Sequence, residues 1–281
     1  MTSVTPSPAA LDRGRPPAIG RTEHFGCVAS TNDVVRDWLA TGEDEICLAF
    51  ADEQTAGRGR NGRTWTAPPG AGLLLSLGFR PSWLPADRVW RLAAMVSLAM
   101  ADAAEDVARL PSGTVRLKWP NDLVIEREGA RDDPPAVRKL GGVLGETEGL
   151  GTPDPRVVIG MGINADWPVA AFPPDLAGAM TSLRAASDDR PVDRDLLADA
   201  FVERVQGRIG ALHAGRFDAA TWMERQVTTG RELDLIQPDG TIVTAGGTGV
   251  DPETGALLVS QDGRERSVLV GEIRHVRLGR V

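Results

Sequence analysis

The chain has 281 residues, of which 42% are hydrophobic and 25% are charged, proportions that are ordinary for a globular protein. This length accommodates one large domain and one small domain. The formal net charge of −8 argues against a dedicated nucleic-acid-binding protein, whose binding surface is normally basic. No apolar run in the sequence is long enough to cross a bilayer, so we predict no association with a membrane.

Cysteine, histidine and the N-terminal segment restrict the chemistry further. Cys27 and Cys47 do not have the spacing of a metal or redox motif, and the three histidines are isolated. No metalloprotease, serine-hydrolase or zinc motif is present, so we predict no metal ligands. Residues 1–20 are rich in proline, alanine and serine and lack the apolar core of a signal peptide. They predict a disordered leader and a cytoplasmic protein.

Residues 22–164 alternate between apolar runs and turn signals, a pattern that predicts strands with two intervening helices. The predicted strands are residues 22–28, 46–51, 73–79, 115–118, 123–125, 137–146 and 157–164. Ser30 is predicted to cap the first helix, with Asp33 completing a capping box and Gly42 ending the helix. Apolar residues at helical spacing predict a longer helix over residues 88–110. Strands with one core helix inserted indicate an α+β fold rather than a βαβ repeat.

The pattern of apolar runs and turn residues changes near residue 229. The segments predicted before this point are a charged hairpin loop (126–135), a long loop of lid-like size (166–182) and two helices (193–212 and 217–226). After it, short apolar runs alternate with Asp-Gly turns, which is typical of a small β-barrel. We therefore predict a mixed sheet with packed helices over residues 21–228 and a small β-barrel over residues 229–281.

Residues 57–63 alternate three glycines with three arginines directly after a predicted strand. Glycine lets the backbone approach a ligand closely, and arginine supplies planar donors that suit phosphate and carboxylate. The segment matches the GxGxxG pattern, but Pro-Pro-Gly at residues 68–70 prevents the helix that a dinucleotide fingerprint requires, and no Gly-Lys-Ser/Thr of a P-loop follows. Two interpretations remain: the segment is a solvated surface turn, or it is a flexible cationic loop that closes over a small anion.

Several polar residues are predicted to lie at strand ends near this loop. Taken alone, Lys118 is a surface lysine beside a turn, and Ser30-Thr31-Asn32 is a helix cap whose free N–H groups also suit a polar ligand. Together with the loop, Lys118, Lys139 and Asn164 form a cluster that suits the joining of two anions. Fixed cations neutralise both anions and stabilise the charge that builds up in the transition state.

Five motifs occur in the order and approximate spacing that is seen in biotin–protein ligases. They are Ser-Thr-Asn at 30–32, the segment 51–65 with its glycine–arginine loop, Leu-Lys-Trp-Pro-Asn-Asp-Leu at 117–123, Lys-Leu-Gly-Gly-Val-Leu at 139–144 and Gly-Met-Gly-Ile-Asn at 160–164. Each motif is modest alone, but the ordered set is specific. From about residue 22 to the C-terminus, the chain therefore resembles the biotin–protein ligases.

The resemblance implies a fold, a reaction and partners. The fold is a class II synthetase-like catalytic domain followed by an SH3-like β-barrel. With ATP and Mg²⁺, the biotin carboxylate attacks the α-phosphate to give biotinyl-5′-AMP and pyrophosphate. A lysine of the biotin carboxyl carrier domain of an acyl-CoA or pyruvate carboxylase then takes the biotinyl group. No specific DNA binding is expected, because the roughly 20 residues before the first strand are too few for the helix-turn-helix of repressor relatives.

The same resemblance implies roles for single residues. Lys118, in contact with both the carboxylate and the α-phosphate, and Arg60 are expected to be catalytic. Biotin is expected to bind Ser30, Thr31, Asn32, Gln54, Arg58, Gly59, Arg60, Lys118, Gly141 and Gly142. ATP is expected to bind Arg60, Arg63, Trp65, Asn121, Lys139 and Asn164. Three roles stay open for Asp122: to orient Asn121, to bind Mg²⁺ through water, or only to complete the turn.

Two other functions stay open alongside this one. The first is a lipoate or octanoate ligase or transferase of the same superfamily, although the loop at 54–63 and the C-terminal barrel favour biotin. The second is a non-catalytic biotin sensor, against which the intact Lys118 argues. The glycine content of the loop predicts that it is mobile without ligand, and that closure excludes water from a reactive acyl-adenylate.

Overall fold

The computed structural model of the chain describes residues 17–43, 45–127, 136–237, 239–269 and 272–276. Most of the predicted leader and most of the predicted hairpin loop at 126–135 lie outside these residues. Within them, no helix combines the length and the apolar character needed to span a membrane.

Seven strands form one mixed sheet. They are β1 (Thr22–Val28), β2 (Ile46–Gln54), β3 (Gly72–Phe79), β4 (Val115–Lys118), β5 (Asp122–Arg127), β6 (Ala136–Glu148) and β7 (Arg156–Asn164). The strand order is β1-β2-β3-β7-β6-β5-β4. β1 runs parallel to β2, and the other neighbours are antiparallel. The predicted strands are confirmed, and the mixed α+β fold with them.

Helices cover both faces of this sheet. They are α1 (Thr31–Ala40), α2 (Trp90–Val107), α3 (Leu183–Ala186), α4 (Arg194–His213) and α5 (Ala219–Glu224). Leu92 and Val96 recur at helical spacing on α2, and Leu75 and Leu77 alternate on β3. All four side chains are fully buried in one core cluster. The α2–α4 layer therefore closes one face, while α1 contacts β2, β3 and β7.

The ends of α1 show where the predicted capping was right and where it was wrong. Ser30 occupies the N-cap position, and Gly42 with φ of +97° follows the helix end, as predicted. However, the Ser30 side chain makes no capping hydrogen bond. The Asp33 carboxylate does not complete a capping box, because it accepts charged hydrogen bonds from Arg36 and Arg58, which are stronger than a bond from a backbone N–H.

The segment between β7 and α3, predicted as a long lid-sized loop, packs on a cluster of its own. Trp167, Phe172 and Met180 are buried together against Ala71. The backbone of this segment also bonds to β6, because Lys139 N donates to the Ala179 carbonyl and the Lys139 carbonyl accepts from Thr181 N, both at 2.8 Å. The segment 165–182, which we call the arm, is therefore fixed beside Lys139.

The C-terminal part forms a second, five-stranded antiparallel sheet. Its strands are β8 (Arg231–Ile236), β9 (Ile242–Val250), β10 (Leu257–Gln261), β11 (Arg264–Val268) and β12 (Glu272–Val276), in the order β11-β10-β9-β8-β12. The predicted small β domain is confirmed, while its closure into an SH3-like barrel and the boundary near residue 229 stay predictions. The turn after β4 contacts the loop between β9 and β10, where Trp119 Nε1 donates to the Gly255 carbonyl at 3.0 Å.

A buried ion pair fixes the edge strand β4. Arg225 is 7% exposed, and its guanidinium bonds to the two carboxylate oxygens of Glu105 at 2.7 and 2.9 Å. The same guanidinium bonds to the Val115 carbonyl, and the Arg225 carbonyl accepts from Leu117 N. Burial is the largest single effect and lowers the pKa of Arg225, but the hydrogen bonds and charges of Glu105 and Asp102 together raise it more, so the net pKa is raised. Arg225 therefore holds the strand that ends at Lys118.

We expect Arg225→Ala to lower the free energy of unfolding by about 3–5 kcal/mol, because it leaves the Glu105 carboxylate buried without its cation. Urea denaturation followed by tryptophan fluorescence measures this change. The matched control is Arg204→Ala, whose partner Asp106 is largely exposed, and it should cost about 0–1 kcal/mol. Equal stability of the two variants would show that Glu105 does not depend on Arg225.

Candidate active site

A single cavity brings together most of the predicted site residues. Its lining includes Ser30, Thr31, Asn32, Gln54, Arg58, Gly59, Arg60, Arg63, Trp65, Lys118, Asn121, Lys139 and Gly142. Two predicted residues do not belong to this lining. Gly141 packs against β7, where a Cβ would come within 2.7 Å of the Gly162 carbonyl. Asn164 is 4% exposed and donates to the Thr181 carbonyl at 2.9 Å, so it holds the arm beside Lys139.

Two glycines on β7 make room for this cavity. A Cβ at Gly160 would lie 2.0 Å from Asn32 Oδ1, and a Cβ at Gly162 would lie 2.4 Å from Trp65 Nε1. Both contacts are too short for any other residue, so Asn32 and Trp65 lie directly against the strand backbone. We did not assign these glycines to the site from the sequence. Their spacing of two in Gly-Met-Gly, which puts them on one face of a strand, was the available signal.

The neutral end of the cavity is a connected set of hydrogen bonds centred on Ser76. Ser76 Oγ donates to Asn32 Oδ1 at 2.6 Å and lies 2.7 Å from Thr31 Oγ1. Gln54 Oε1 accepts from the Thr31 backbone N at 2.8 Å. These contacts fix the side chains of α1 and β2 relative to each other. Sequence reasoning missed Ser76, although one serine within the apolar run Leu-Leu-Leu-Ser-Leu was a signal.

The glycine–arginine loop, residues 57–63, folds back on itself and crosses the cavity. Gly59 N donates to the Arg63 carbonyl at 2.7 Å, and Trp65 N donates to the Gly57 carbonyl at 2.9 Å. At the far side of the cavity, Arg60 Nη1 donates to Asn121 Oδ1 at 3.4 Å. The loop is therefore a short hairpin that reaches from β2 to the turn after β4.

Arg58 points toward α1 and β6. Its two terminal nitrogens donate to the two carboxylate oxygens of Asp33, both at 2.8 Å, and one of them lies 3.3 Å from Glu146 Oε1. The hydrogen bond from Arg58 lowers the pKa of Asp33, against the raising effect of burial. The predicted contact of the Arg58 side chain with a ligand therefore competes with two carboxylates.

The cationic end of the cavity contains the two lysines of the chain. The sequence has 31 basic residues, but only Lys118 and Lys139 are lysines, and both line the cavity. Lys139 Nζ lies 2.6 Å from Asp122 Oδ1 and 5.6 Å from the centre of the Trp65 ring. Lys118 is the strand partner of Asp122 in the β4–β5 hairpin. This scarcity of lysine was a signal in the sequence that we did not use.

Asp122 thus has a visible partner that none of its three predicted roles includes. Its carboxylate binds Lys139, whereas Asn121 is oriented by its own bond to the Val143 carbonyl at 3.0 Å. Among the described residues that line the cavity, Asp122 is the one carboxylate. The described part of the chain contains no group of three or more His, Cys, Asp or Glu side chains that would hold a metal ion.

The cavity therefore joins a neutral, hydrogen-bonding end to a cationic end. The neutral end suits a polar group without charge, and the cationic end suits carboxylate and phosphate. A covering loop closes the space between them. Such an arrangement can hold two anionic groups against each other while water is excluded.

Comparison with known proteins is consistent with this geometry. The model of the biotin/lipoate A/B protein ligase family matches residues 25–164. A biotin–[acetyl-CoA-carboxylase] ligase of Mycobacterium tuberculosis is 31% identical over 254 residues, which cover 89% of this chain and 88% of the relative. The chain belongs to the biotin/lipoate A/B protein ligase family. The motifs that line the cavity, from Asn32 to Gly162, lie within the matched residues.

Further members of this ligase family show the same relationship. The bifunctional ligase/repressor BirA of Escherichia coli is 30% identical over 249 residues, which cover 88% of this chain and 71% of that protein. The fold matches that of the Aquifex aeolicus biotin protein ligase, solved in complex with biotin and ATP, with a TM-score of 0.72 and 23% identity. This match covers 92% of the chain and 98% of the solved one.

We expect Arg58→Gln to raise the pKa of Asp33 toward 3.8, because the variant removes the hydrogen bond that lowers it. A carbon-13 NMR titration of the aspartate carboxyls measures this change. The internal control is Asp154, whose pKa is lowered by Arg156 and should stay constant.

The lowered pKa of Asp33 determines how the stability of the fold depends on pH. The Asp33–Arg58 pair stabilises the folded state above the unfolded-chain value of 3.8, and this contribution is lost as the pH falls through the folded-state pKa. An unchanged Asp33 titration in Arg58→Gln would contradict the pairing.

Proposed function

We propose that the protein is an ATP-dependent biotin–protein ligase. The observation that carries the proposal is the cavity itself, whose neutral end and cationic end face each other under the glycine–arginine loop. Relationship to the M. tuberculosis ligase over nearly the whole of both chains supports the same activity. The biotin and ATP in the A. aeolicus structure belong to a protein of the same fold.

In this proposal the neutral end binds the ureido ring of biotin. Ser30, Thr31, Asn32 and Gln54 supply the uncharged donors and acceptors that a ureido group needs, and Ser76 fixes the orientation of Thr31 and Asn32. Gly142 on β6 lets the strand backbone approach the ligand, with Gly141 as its close-packed neighbour. The backbone of Gly59 covers the ligand as part of the loop, while the Arg58 side chain anchors that loop from outside.

The cationic end then carries out adenylation. A carboxylate oxygen of biotin attacks the α-phosphorus of ATP, the new P–O bond forms, and pyrophosphate leaves with the electrons of the broken bond. Both reactants are anionic, so Lys118 and Arg60 lower the barrier by neutralising the charge shared between them. Arg63, Trp65, Asn121 and Lys139 bind the nucleotide. Asn164 supports the ATP site through the arm that its side chain holds.

The residues present fit a Mg²⁺ ion that arrives with ATP. Mg²⁺ in nucleotide sites is bound by one or two carboxylates together with substrate phosphates, and Asp122 is the carboxylate on the cavity wall. It would hold the ion directly or through water, in exchange for its contact with Lys139. An ion held by Asp122 would supply positive charge near the leaving pyrophosphate.

The second half-reaction transfers biotin to a protein. The ε-amine of an acceptor lysine attacks the acyl carbon, loses a proton, and displaces AMP. We propose a biotin carboxyl carrier domain of an acyl-CoA or pyruvate carboxylase as acceptor. Relationship to the M. tuberculosis biotin–[acetyl-CoA-carboxylase] ligase supports the first of these. Use of ATP and the two unpaired cysteines support a cytoplasmic location. The net charge of −8 supports a ligase without specific DNA binding.

We expect Lys118→Ala to slow biotin-dependent exchange of pyrophosphate into ATP by about 100- to 1000-fold, because a preorganised cation at the reacting groups is lost. Radiolabelled pyrophosphate exchange measures the adenylation step without a carrier protein. The control variant is Arg216→Ala, an exposed cation outside the cavity, which should exchange like wild type.

The choice of acid decides between the candidate functions. Exchange with biotin and none with lipoate is the expected result for wild type. Exchange with lipoate or octanoate instead would keep the mechanism and change the substrate. No exchange with any of the three acids would contradict the ligase proposal and favour a non-catalytic sensor.

We expect Gly160→Ala to raise the KM for biotin at least about tenfold, because the new methyl displaces Asn32 from its bond with Ser76. The KM for ATP should change much less. The matched control is Gly145→Ala on β6, where a Cβ makes ordinary contact at 3.5 Å with Ile159. A normal biotin KM in Gly160→Ala would remove Asn32 from the biotin site.

A further inference from the structure

Four charged side chains form a network of ion pairs beside the glycine–arginine loop. We call them the anchor cluster: Asp33, Arg36, Arg58 and Glu146. Arg58 makes the paired contact with Asp33 described above, and Arg36 bonds to Asp33 at 2.6 Å and to Glu146 at 2.5 Å. The side chains are between 28% and 41% exposed. Two cations and two carboxylates therefore balance each other beside the loop.

The members of the cluster differ in how their backbones are held. Asp33 and Arg36 lie one turn apart on α1, and Glu146 lies on β6. Both elements are packed parts of the large domain. Arg58 instead lies on the loop, between Gly57 and Gly59, and glycine gives a backbone freedom to change conformation. Of the three elements that carry the cluster, we therefore expect the loop to be the one that moves.

One member of the cluster also contacts the neutral end of the cavity. Glu146 Oε2 accepts from Asn32 Nδ2 at 3.0 Å, and Asn32 Oδ1 accepts from Ser76 at 2.6 Å. Both polar atoms of the Asn32 amide are therefore engaged, which fixes its orientation. The carboxylate that contacts the loop thus also orients a residue of the cavity wall, so the two sites are connected through one side chain.

We propose that Asp33 and Glu146 are positioning residues that hold the glycine–arginine loop closed through Arg58, and thereby set how long the acyl-adenylate stays in the site. This rests on the proposed function, because the adenylate is its intermediate. The bidentate Asp33–Arg58 pair restrains the loop, and the bond from Asn32 to Glu146 couples this restraint to the biotin end. The loop then opens most readily when the Asp33–Arg58 pair breaks.

The first test is Asp33→Asn, which keeps the shape of the side chain and removes its charge. We expect the variant to release preformed radiolabelled biotinyl-AMP roughly fivefold faster than wild type, the scale of a partly exposed bidentate pair. Pyrophosphate exchange at saturating biotin and ATP should change less than about twofold, because Asp33 does not touch the reacting groups. The matched control is Asp37→Asn, an exposed aspartate one turn further along α1.

A double-mutant cycle separates the anchor from direct ligand binding. If Arg58 acts through Asp33, the double variant Asp33→Asn/Arg58→Gln should release the adenylate no faster than Arg58→Gln alone. Additive effects would mean that Arg58 contacts the ligand independently, which would overturn the proposal. Release from Asp33→Asn at the wild-type rate would overturn it as well.

Glu146→Gln tests the connection to the neutral end. We expect faster adenylate release together with a several-fold higher KM for biotin, since Asn32 and Arg58 lose the same charged partner. Asp33→Asn should leave that KM nearly unchanged. A biotin KM that stays at the wild-type value in Glu146→Gln would refute the coupling.

A ligand-free measurement keeps this proposal distinct from the proposed function. Trypsin cleavage after Arg58, Arg60 or Arg63 should be several-fold faster in Asp33→Asn than in Asp37→Asn, with no substrate added. If wild type forms no adenylate from biotin, the proposed function fails, while this comparison still tests the anchor. Equal cleavage of the two variants would show that Asp33 does not restrain the loop.

Discussion

The bare backbone of β7 at Gly160 and Gly162 is the feature on which the rest of the site depends. Because these positions lack side chains, Asn32 from α1 and Trp65 from the loop hairpin can both lie against one strand. Two elements that are distant in sequence therefore meet over the same stretch of sheet. The neutral hydrogen-bonding network and the cationic end are built on either side of that meeting point.

The surrounding fold fixes the two lysines, while the mobility of the glycine–arginine loop stays a prediction. Arg225 and Glu105 pin the edge strand that ends at Lys118, and the arm after β7 bonds to the backbone of Lys139. Both lysines are thus placed by packed structure, which suits groups that must be preorganised for catalysis. The side chains of Arg58 and Arg60 join the loop to α1 and to the turn after β4, and the proposed opening of the loop breaks these contacts.

Strand positions could be predicted from the sequence because apolar runs and turn residues are local signals, and β1 and β4 agree with their predicted limits. Most residues that share the cavity could also be named in advance, because five ordered motifs resemble those of biotin–protein ligases. The order of the strands was not, because the placement of β7 between β3 and β6 depends on long-range pairing. The partners of Asp33 and Asn164 could not be predicted for the same reason. Each finds its strongest partner in a segment that only the fold brings near.

The confinement of lysine to the cavity gives the protein an unusual spectroscopic simplicity. Arginine supplies the basic charge elsewhere, so Lys118 and Lys139 carry the only side-chain ammonium groups of the chain. Enrichment of lysine alone with nitrogen-15 would yield two ammonium signals, both from the cavity wall. The titration and ligand response of each cation could then be followed directly in the intact protein, without a single substitution.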